Sequence, residues 1–196
     1  MEEERELRDR GLSDFFYKLN QMYAPKEEIN TRINMDDFSR VPGFDVSADK
    51  AKIYDKKIRH EFTDATSLGK FAENFIMREI NRLQILGDSK AVLGSEYDDL
   101  FNGADIVVEI KGAETINRFS VDISTGDSAS ILRKTSFQKK LANVGDIGQV
   151  KYFRSQYDRG VVGLPSAPHL VLSINPDDII DFLEKSKPLL LARRTL

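Results

Sequence analysis

Two runs rich in Val, Ile and Phe, residues 104–110 and 119–125, are joined by a short polar connection, and this pair constrains the fold more than any other feature of the chain. Runs of this composition read as strands. A connection this short forces them into an antiparallel hairpin, because a parallel pair needs a crossover of a dozen or more residues. A hairpin symmetric about residues 113 and 114 sets Ile106 against Val121 and Val108 against Phe119 on one face. On the other it sets Asp105 against Asp122 and Glu109 against Arg118. Apolar residues then meet apolar residues throughout, so the register is self-consistent.

The rest of the pattern supplies helices and one further strand. A helix is expected over 67–86, with Ser67 as N-cap, Leu68, Phe71, Phe75, Ile76, Ile80 and Leu83 as its apolar stripe, and Gly87 as its stop. Tyr97-Asp98-Asp99 and Asn102-Gly103 mark a turn before the hairpin. After Gly126 the spacing is helical to about residue 141, a short segment covers 149–157, and 169–174 reads as a buried strand ended by Asn175-Pro176. Asn-Pro-Asp-Asp then opens a helix over 177–183. Upstream, Leu12, Phe15, Phe16 and Leu19 lie at helical spacing within a charged segment broken by Pro25, Pro42 and Gly43. The expected organisation is an N-terminal helical extension, 1–62, and a core domain, 63–196, of α/β (α+β) class with a central mixed sheet flanked by helices.

Composition narrows the chemistry. The chain of 196 residues has no Cys and two His, His60 and His169, which excludes zinc ribbons, thiol nucleophiles and His-rich metal sites. No apolar run approaches the roughly 20 residues that span a bilayer, and the start, Met1-Glu-Glu-Glu-Arg, lacks the basic and apolar regions of a secretory signal. A cytoplasmic location without a membrane partner is expected. The net charge of −3 does not advertise nucleic-acid binding, yet residues 133–159 hold seven basic side chains against two acidic ones. That stretch is either a solvated helix surface or a phosphate-contacting one.

Any metal must therefore be held by oxygen, which favours hard cations such as Mg²⁺ or Mn²⁺. Directly opposed strand residues have Cβ atoms about 4.5–5.5 Å apart, and two carboxylates at that range repel unless a proton or a cation lies between them. Asp105 and Asp122 are the candidate pair. Glu73 borders the apolar stripe of the long helix and either faces solvent or reaches the helix–sheet junction.

At these residues the sequence resembles the PD-(D/E)XK, or restriction-endonuclease-like, nucleases, over roughly residues 67–183. Gly103-Ala-Asp105-Ile-Val-Val-Glu-Ile matches the element that carries the family's Asp, and Phe119-Ser-Val-Asp122-Ile-Ser124 matches its acidic-x-Lys triplet. Glu73, in Phe71-Ala-Glu-Asn-Phe-Ile, matches the helical acidic residue that joins the family's metal site. The resemblance implies a restriction-endonuclease-like core, Mg²⁺ or Mn²⁺ held by Asp105, Asp122 and Glu73, and hydrolysis of nucleic acid, DNA before RNA. It leaves a homodimer open. Ser124 departs from the pattern, standing where the family has its Lys. In some members that Lys lies on the next helix, where Lys134 and Lys139 are candidates, and Lys139 is assigned the role.

A rival register takes Asp99 with Glu109-Ile-Lys111 as the triplet, although Asp99 lies in a turn and Glu109 already has Arg118 as its cross-strand partner. His169 reads as a strand-edge or packing residue. A non-catalytic module that binds nucleic acid or protein is the alternative to a nuclease, and a structural domain of a larger assembly a third reading.

Overall fold

The computed structural model of the protein describes residues 32–59, 67–84, 86–125, 148–158, 160, 162–175 and 178. The expected helices near Leu12–Leu19, over 126–141 with Lys134 and Lys139, and over 177–183 lie outside these residues, Asp178 apart, as do His60 and the side chain of Ser67.

The fold is α+β, built on a mixed four-stranded sheet. A 3₁₀ turn at Met35–Phe38 and helix α1, Val46–Arg59, precede helix α2, Ser67–Leu83. Strand β1, Ser89–Leu93, leads through a π-helical turn, Asp98–Asn102, to β2, Ile106–Lys111, and β3, Ile116–Ser124. Then come β4, Val150–Arg154, β5, Val162–Leu164, and β6, His169–Ser173. The main sheet runs β1-β2-β3-β6, and β4-β5 form a separate ribbon. The first three strands are an antiparallel meander, while β6 lies parallel to β3.

The hairpin has the register its side chains require, with Ile106 opposite Val121, Val108 opposite Phe119 and Glu109 opposite Arg118. Both strands differ at their ends from the expected 104–110 and 119–125. The ladder reaches Lys111 and Ile116 because the turn tightens around Gly112, whose N–H bonds the Thr115 carbonyl at 2.8 Å.

Alternation divides the sheet into two buried faces. Ile106, Val108, Val121 and Ile123 pack with Ala91 and Leu93 against Phe71, Ala72 and Met77 of α2. Val107 and Ala104 face the ribbon residues Val150, Phe153 and Leu164. Strand β2 is thus covered on both sides, which accounts for its three consecutive apolar residues, Ile106, Val107 and Val108. The segment from residue 33 onward shares a third core, in which Met35, Phe38, Val46 and Ile53 surround the buried ring of Tyr152. Among the described residues no helix is long and apolar enough to cross a membrane.

Helix α2 ends at Leu83 rather than near residue 86. Gln84 takes a left-handed φ of 50° and turns its amide to β1, accepting from the Ser89 N–H at 3.1 Å and donating to the Ser89 carbonyl at 3.1 Å. Two side-chain bonds to a strand hold the chain where continued helix would carry it away.

Candidate functional site

The hairpin delivers Asp105 and Asp122 to one end of the sheet. Asp105 stands one residue before the first ladder pair, its N–H donating to the Val121 carbonyl at 3.0 Å, and Asp122 follows Val121 on the neighbouring strand. Both side chains are buried, at 5 % and 8 % exposure. The turn before them needs Gly103, whose φ of 66° is left-handed and at which an added Cβ would come 3.6 Å from the Asp122 carboxylate. Gly94 admits the strand opposite: a Cβ there would sit 1.9 Å from the Ala104 carbonyl oxygen, and its N–H bonds the Asp105 carbonyl at 2.8 Å.

One oxygen of Asp105 accepts the Ile123 N–H at 2.6 Å, which fixes the carboxyl against β3. Burial pushes this carboxyl well above the usual carboxylate range, and the negative charges of Glu73, Asp99 and Asp122 push it further, against the Ile123 hydrogen bond. Four acidic side chains, from helix α2, the π-helical turn, the residue just before β2, and β3, thus share one electrostatic neighbourhood.

Glu73 is nearly buried and faces this neighbourhood instead of bulk solvent. Its carboxylate and that of Asp99 are bridged by Arg32, with Nη2 3.5 Å from Glu73 and Nη1 3.1 Å from Asp99. Arg32 is anchored beside β1, bridging Leu93, and the Ile33 N–H bonds the Leu93 carbonyl at 3.1 Å. Nothing in the local sequence signals Arg32, which reaches the site from a segment 41 and 67 residues away from its two partners.

In chemistry the donor set fits a hard divalent cation, since every donor is a carboxylate oxygen. In position it is not closed: among the described residues no three His, Cys, Asp or Glu side chains converge closely enough to hold a metal ion. Two of the four carboxylates are occupied by Arg32 instead.

The other singled-out residues lie apart. Glu109, 1 % exposed, bonds Arg118 Nε at 3.0 Å, Ser155 Oγ at 2.5 Å and the Gln156 N–H at 2.6 Å, which leaves its carboxylate committed to the ribbon. Lys111 lies at the end of β2, its ammonium 5.7 Å from the Tyr157 ring centre. Ser124 is buried on β3 at 3 % exposure. His169 opens β6, with Nδ1 2.7 Å from the Ser120 hydroxyl.

Near Arg32 lies a cavity of about 480 Å³, lined by Arg32, Arg154, Asn34, Gln156 and Asp37 over Ile33, Phe38 and Val92. The Arg154 guanidinium sits 5.6 Å from the Phe38 ring centre and pairs with no described carboxylate. In comparisons with known proteins, no family matches the chain, and no curated protein or solved structure matches it.

Proposed function

We propose that the chain is a divalent-metal-dependent nuclease with a restriction-endonuclease-like, PD-(D/E)XK core, hydrolysing phosphodiester bonds in nucleic acid, DNA before RNA. The observation that carries this reading is Asp105: a buried carboxyl whose neighbours are three further acidic side chains, on the hairpin where the resemblance expects a metal site. Repulsion of this kind is costly to maintain, and binding a cation is a common reason for a fold to maintain it. Asp105, Asp122 and Glu73 are the residues that would hold Mg²⁺ or Mn²⁺, with Asp99 in reach of the same charge. When bound, such an ion lowers the pKa of its water and offsets the charge of the phosphate.

The chain's own residues would fix the carboxyl orientation through the Ile123 N–H and supply cations for the nucleic-acid backbone. Arg154, at the cavity beside the site, is one such cation, and phosphate contacts of this kind weaken as salt rises. Lys139, or Lys134 on the same segment, would supply the positive group missing from position 124. A cysteine-free chain of this kind is suited to the cytoplasm.

Ser124 favours a second reading. A buried hydroxyl on β3, in place of a lysine, is what a non-catalytic module that still binds nucleic acid or protein would carry.

Calorimetric titration of Mn²⁺ into wild type and Asp105→Ala/Asp122→Ala, with plasmid and single-stranded DNA cleavage assayed on the same preparations, separates the readings. Binding and cleavage that both vanish in the double variant support a metal nuclease. Binding without cleavage favours the non-catalytic module, and absence of binding in folded wild type removes the metal site.

A further inference from the structure

We propose that the cavity beside Arg32 is a binding site for a single nucleotide, with Arg154 taking the phosphate, the amides of Asn34 and Gln156 the edge of the base, and Ile33 and Val92 its apolar faces. The proposal goes beyond the cation site above and does not depend on it.

Three segments far apart in the chain build the cavity: residues 32–38, Val92 on β1, and the end of β4 with Gln156 just beyond it. Its volume of about 480 Å³ lies within the range of about 300–1,000 Å³ usual for small-molecule sites. The two guanidinium groups that line it differ. Arg32 already holds Asp99 and Glu73, so its charge is balanced by the acidic end of the sheet. Arg154 pairs with no described carboxylate and lies over the Phe38 ring, 5.6 Å from its centre. Phe38 is itself wedged against Phe44 and Tyr152, at 5.3 and 5.4 Å between ring centres, so the platform under the guanidinium is fixed. A guanidinium stacked on a ring keeps its in-plane N–H donors available, and those donors match the oxygens of a phosphate. Repulsion from Asp37 and from the carboxylates paired with Arg32 sets the place of the phosphate at Arg154.

An inorganic anion would leave most of the cavity unused. Asn34 accepts the Asp36 N–H through Oδ1 at 3.1 Å, which leaves its Nδ2 to donate. Gln156 is anchored by its backbone N–H on Glu109 at 2.6 Å, and its side-chain amide makes no bond to a described residue. Two amides together with the apolar wall of Ile33 and Val92 suit a flat ring that has apolar faces and a polar edge. Asp37 adds an acceptor for an amino group or a sugar hydroxyl. Phosphate, sugar and base are the parts of one nucleotide, and the same chemistry serves a free nucleotide and one unstacked from a strand.

The test is calorimetric titration of the four deoxynucleoside 5′-monophosphates, their nucleosides and inorganic phosphate into full-length wild type, Arg154→Gln and Gln156→Ala, with EDTA present. At least one monophosphate is expected to bind wild type about tenfold or more tightly than its nucleoside or inorganic phosphate. Arg154→Gln should weaken it about ten- to hundredfold, the loss of charge-assisted hydrogen bonds. Gln156→Ala should weaken it about two- to tenfold and leave inorganic phosphate unaffected. Both side chains are exposed, so the variants keep the fold, which thermal melts check. Competition by a 5′-phosphorylated pentamer of the same base assigns the site to strands, and failure to compete assigns it to the free nucleotide. No binding of any monophosphate by folded wild type overturns the proposal. So does binding that Arg154→Gln leaves unchanged, or that inorganic phosphate matches while Gln156→Ala has no effect. Because EDTA removes divalent ions, these results leave the cation site to stand or fall by the Mn²⁺ titration.

Discussion

Asp105 carries most of the functional tension in a single side chain. Burial first, and then Glu73, Asp99 and Asp122, raise its carboxyl well above the ordinary range. Raising a folded-state carboxyl means that the native protein keeps a proton the unfolded chain has already released. The contribution of this group to stability is therefore most favourable at pH values low enough for both states to be protonated there, and it falls as pH climbs toward and through the folded value. Asp105→Asn imitates the protonated form and retains an oxygen to accept the Ile123 N–H. This variant is expected to melt above wild type at pH 8, by about 2–4 °C for each kcal/mol of repulsion relieved. The gain should shrink toward pH 4, and calorimetric melts across that range would check it. A gain constant with pH would assign the effect to packing, and a loss at pH 8 would show the carboxyl to be ionised without penalty. Loss of Mn²⁺ binding in the same variant would be the cost common to sites that trade stability for function.

At the scale of elements, β1 shows how the sheet handles a free edge. An outer strand presents unpaired N–H and C=O groups that invite pairing with another chain. Asn81 on α2 donates to the Ala91 carbonyl at 2.8 Å and accepts the Ala91 N–H at 2.8 Å, while Gln84 does the same at Ser89 and the Ile33 N–H takes the Leu93 carbonyl. Two amide side chains and one backbone group thus replace a neighbouring strand. Asn81→Ala should leave both polar groups of Ala91 unpaired in a buried position, costing about 2 kcal/mol and about 4–8 °C of Tm. Hydrogen exchange at the Ala91 amide should accelerate with it. A change under about 1 °C would mean that water replaces the amide. This device also explains what sequence patterning conveys and what it misses. The hairpin of β2 and β3 is legible because β2 is rich in Val and Ile, Phe119, Val121 and Ile123 of β3 alternate with polar residues, and the two strands match in register. Ser89-Lys-Ala-Val-Leu has one β-branched residue and no clear alternation, and much of its support comes from a helix, so β1 is not legible. The ribbon strands β4 and β5 hide for a related reason, lying in a segment punctuated by Gly and Pro and packing on Ala104 and Val107, which are distant in the chain.

Across the whole molecule, three buried carboxylates tie β4 and the residues just after it to α1, the π-helical turn and β2. Asp49 on α1 accepts the Tyr152 hydroxyl at 2.6 Å and pairs with Lys52 and Lys151. Asp98 in the π-helical turn accepts the N–H groups of Lys151 and Tyr152 at 2.7 and 2.9 Å. Glu109 on β2 holds Ser155 and Gln156. Among the contacts of these carboxylates the Glu109–Arg118 pair could be read from the sequence, because it lies across one hairpin; Asp49–Lys52 lies within one helix, and the other links join residues 46 to 103 positions apart. The candidate site divides in the same way: Asp105 and Asp122 follow from hairpin register, and Arg32 does not. The division bears on the rival triplet of Asp99 with Glu109-Ile-Lys111. The neighbours that raise Asp105 are Glu73, Asp99 and Asp122, and Glu109 is not among them; its oxygens are taken by the ribbon. Glu109→Ala should therefore act on stability, costing about 3–5 kcal/mol by leaving Arg118 without its buried partner. Glu109→Gln, which keeps the volume and one acceptor, should cost less and leave Mn²⁺ affinity in the folded protein within about twofold of wild type. Calorimetry on the Gln variant below its melting range checks this. Mn²⁺ binding lost there, with the fold intact, would move the cation site onto Glu109 and restore the rival triplet.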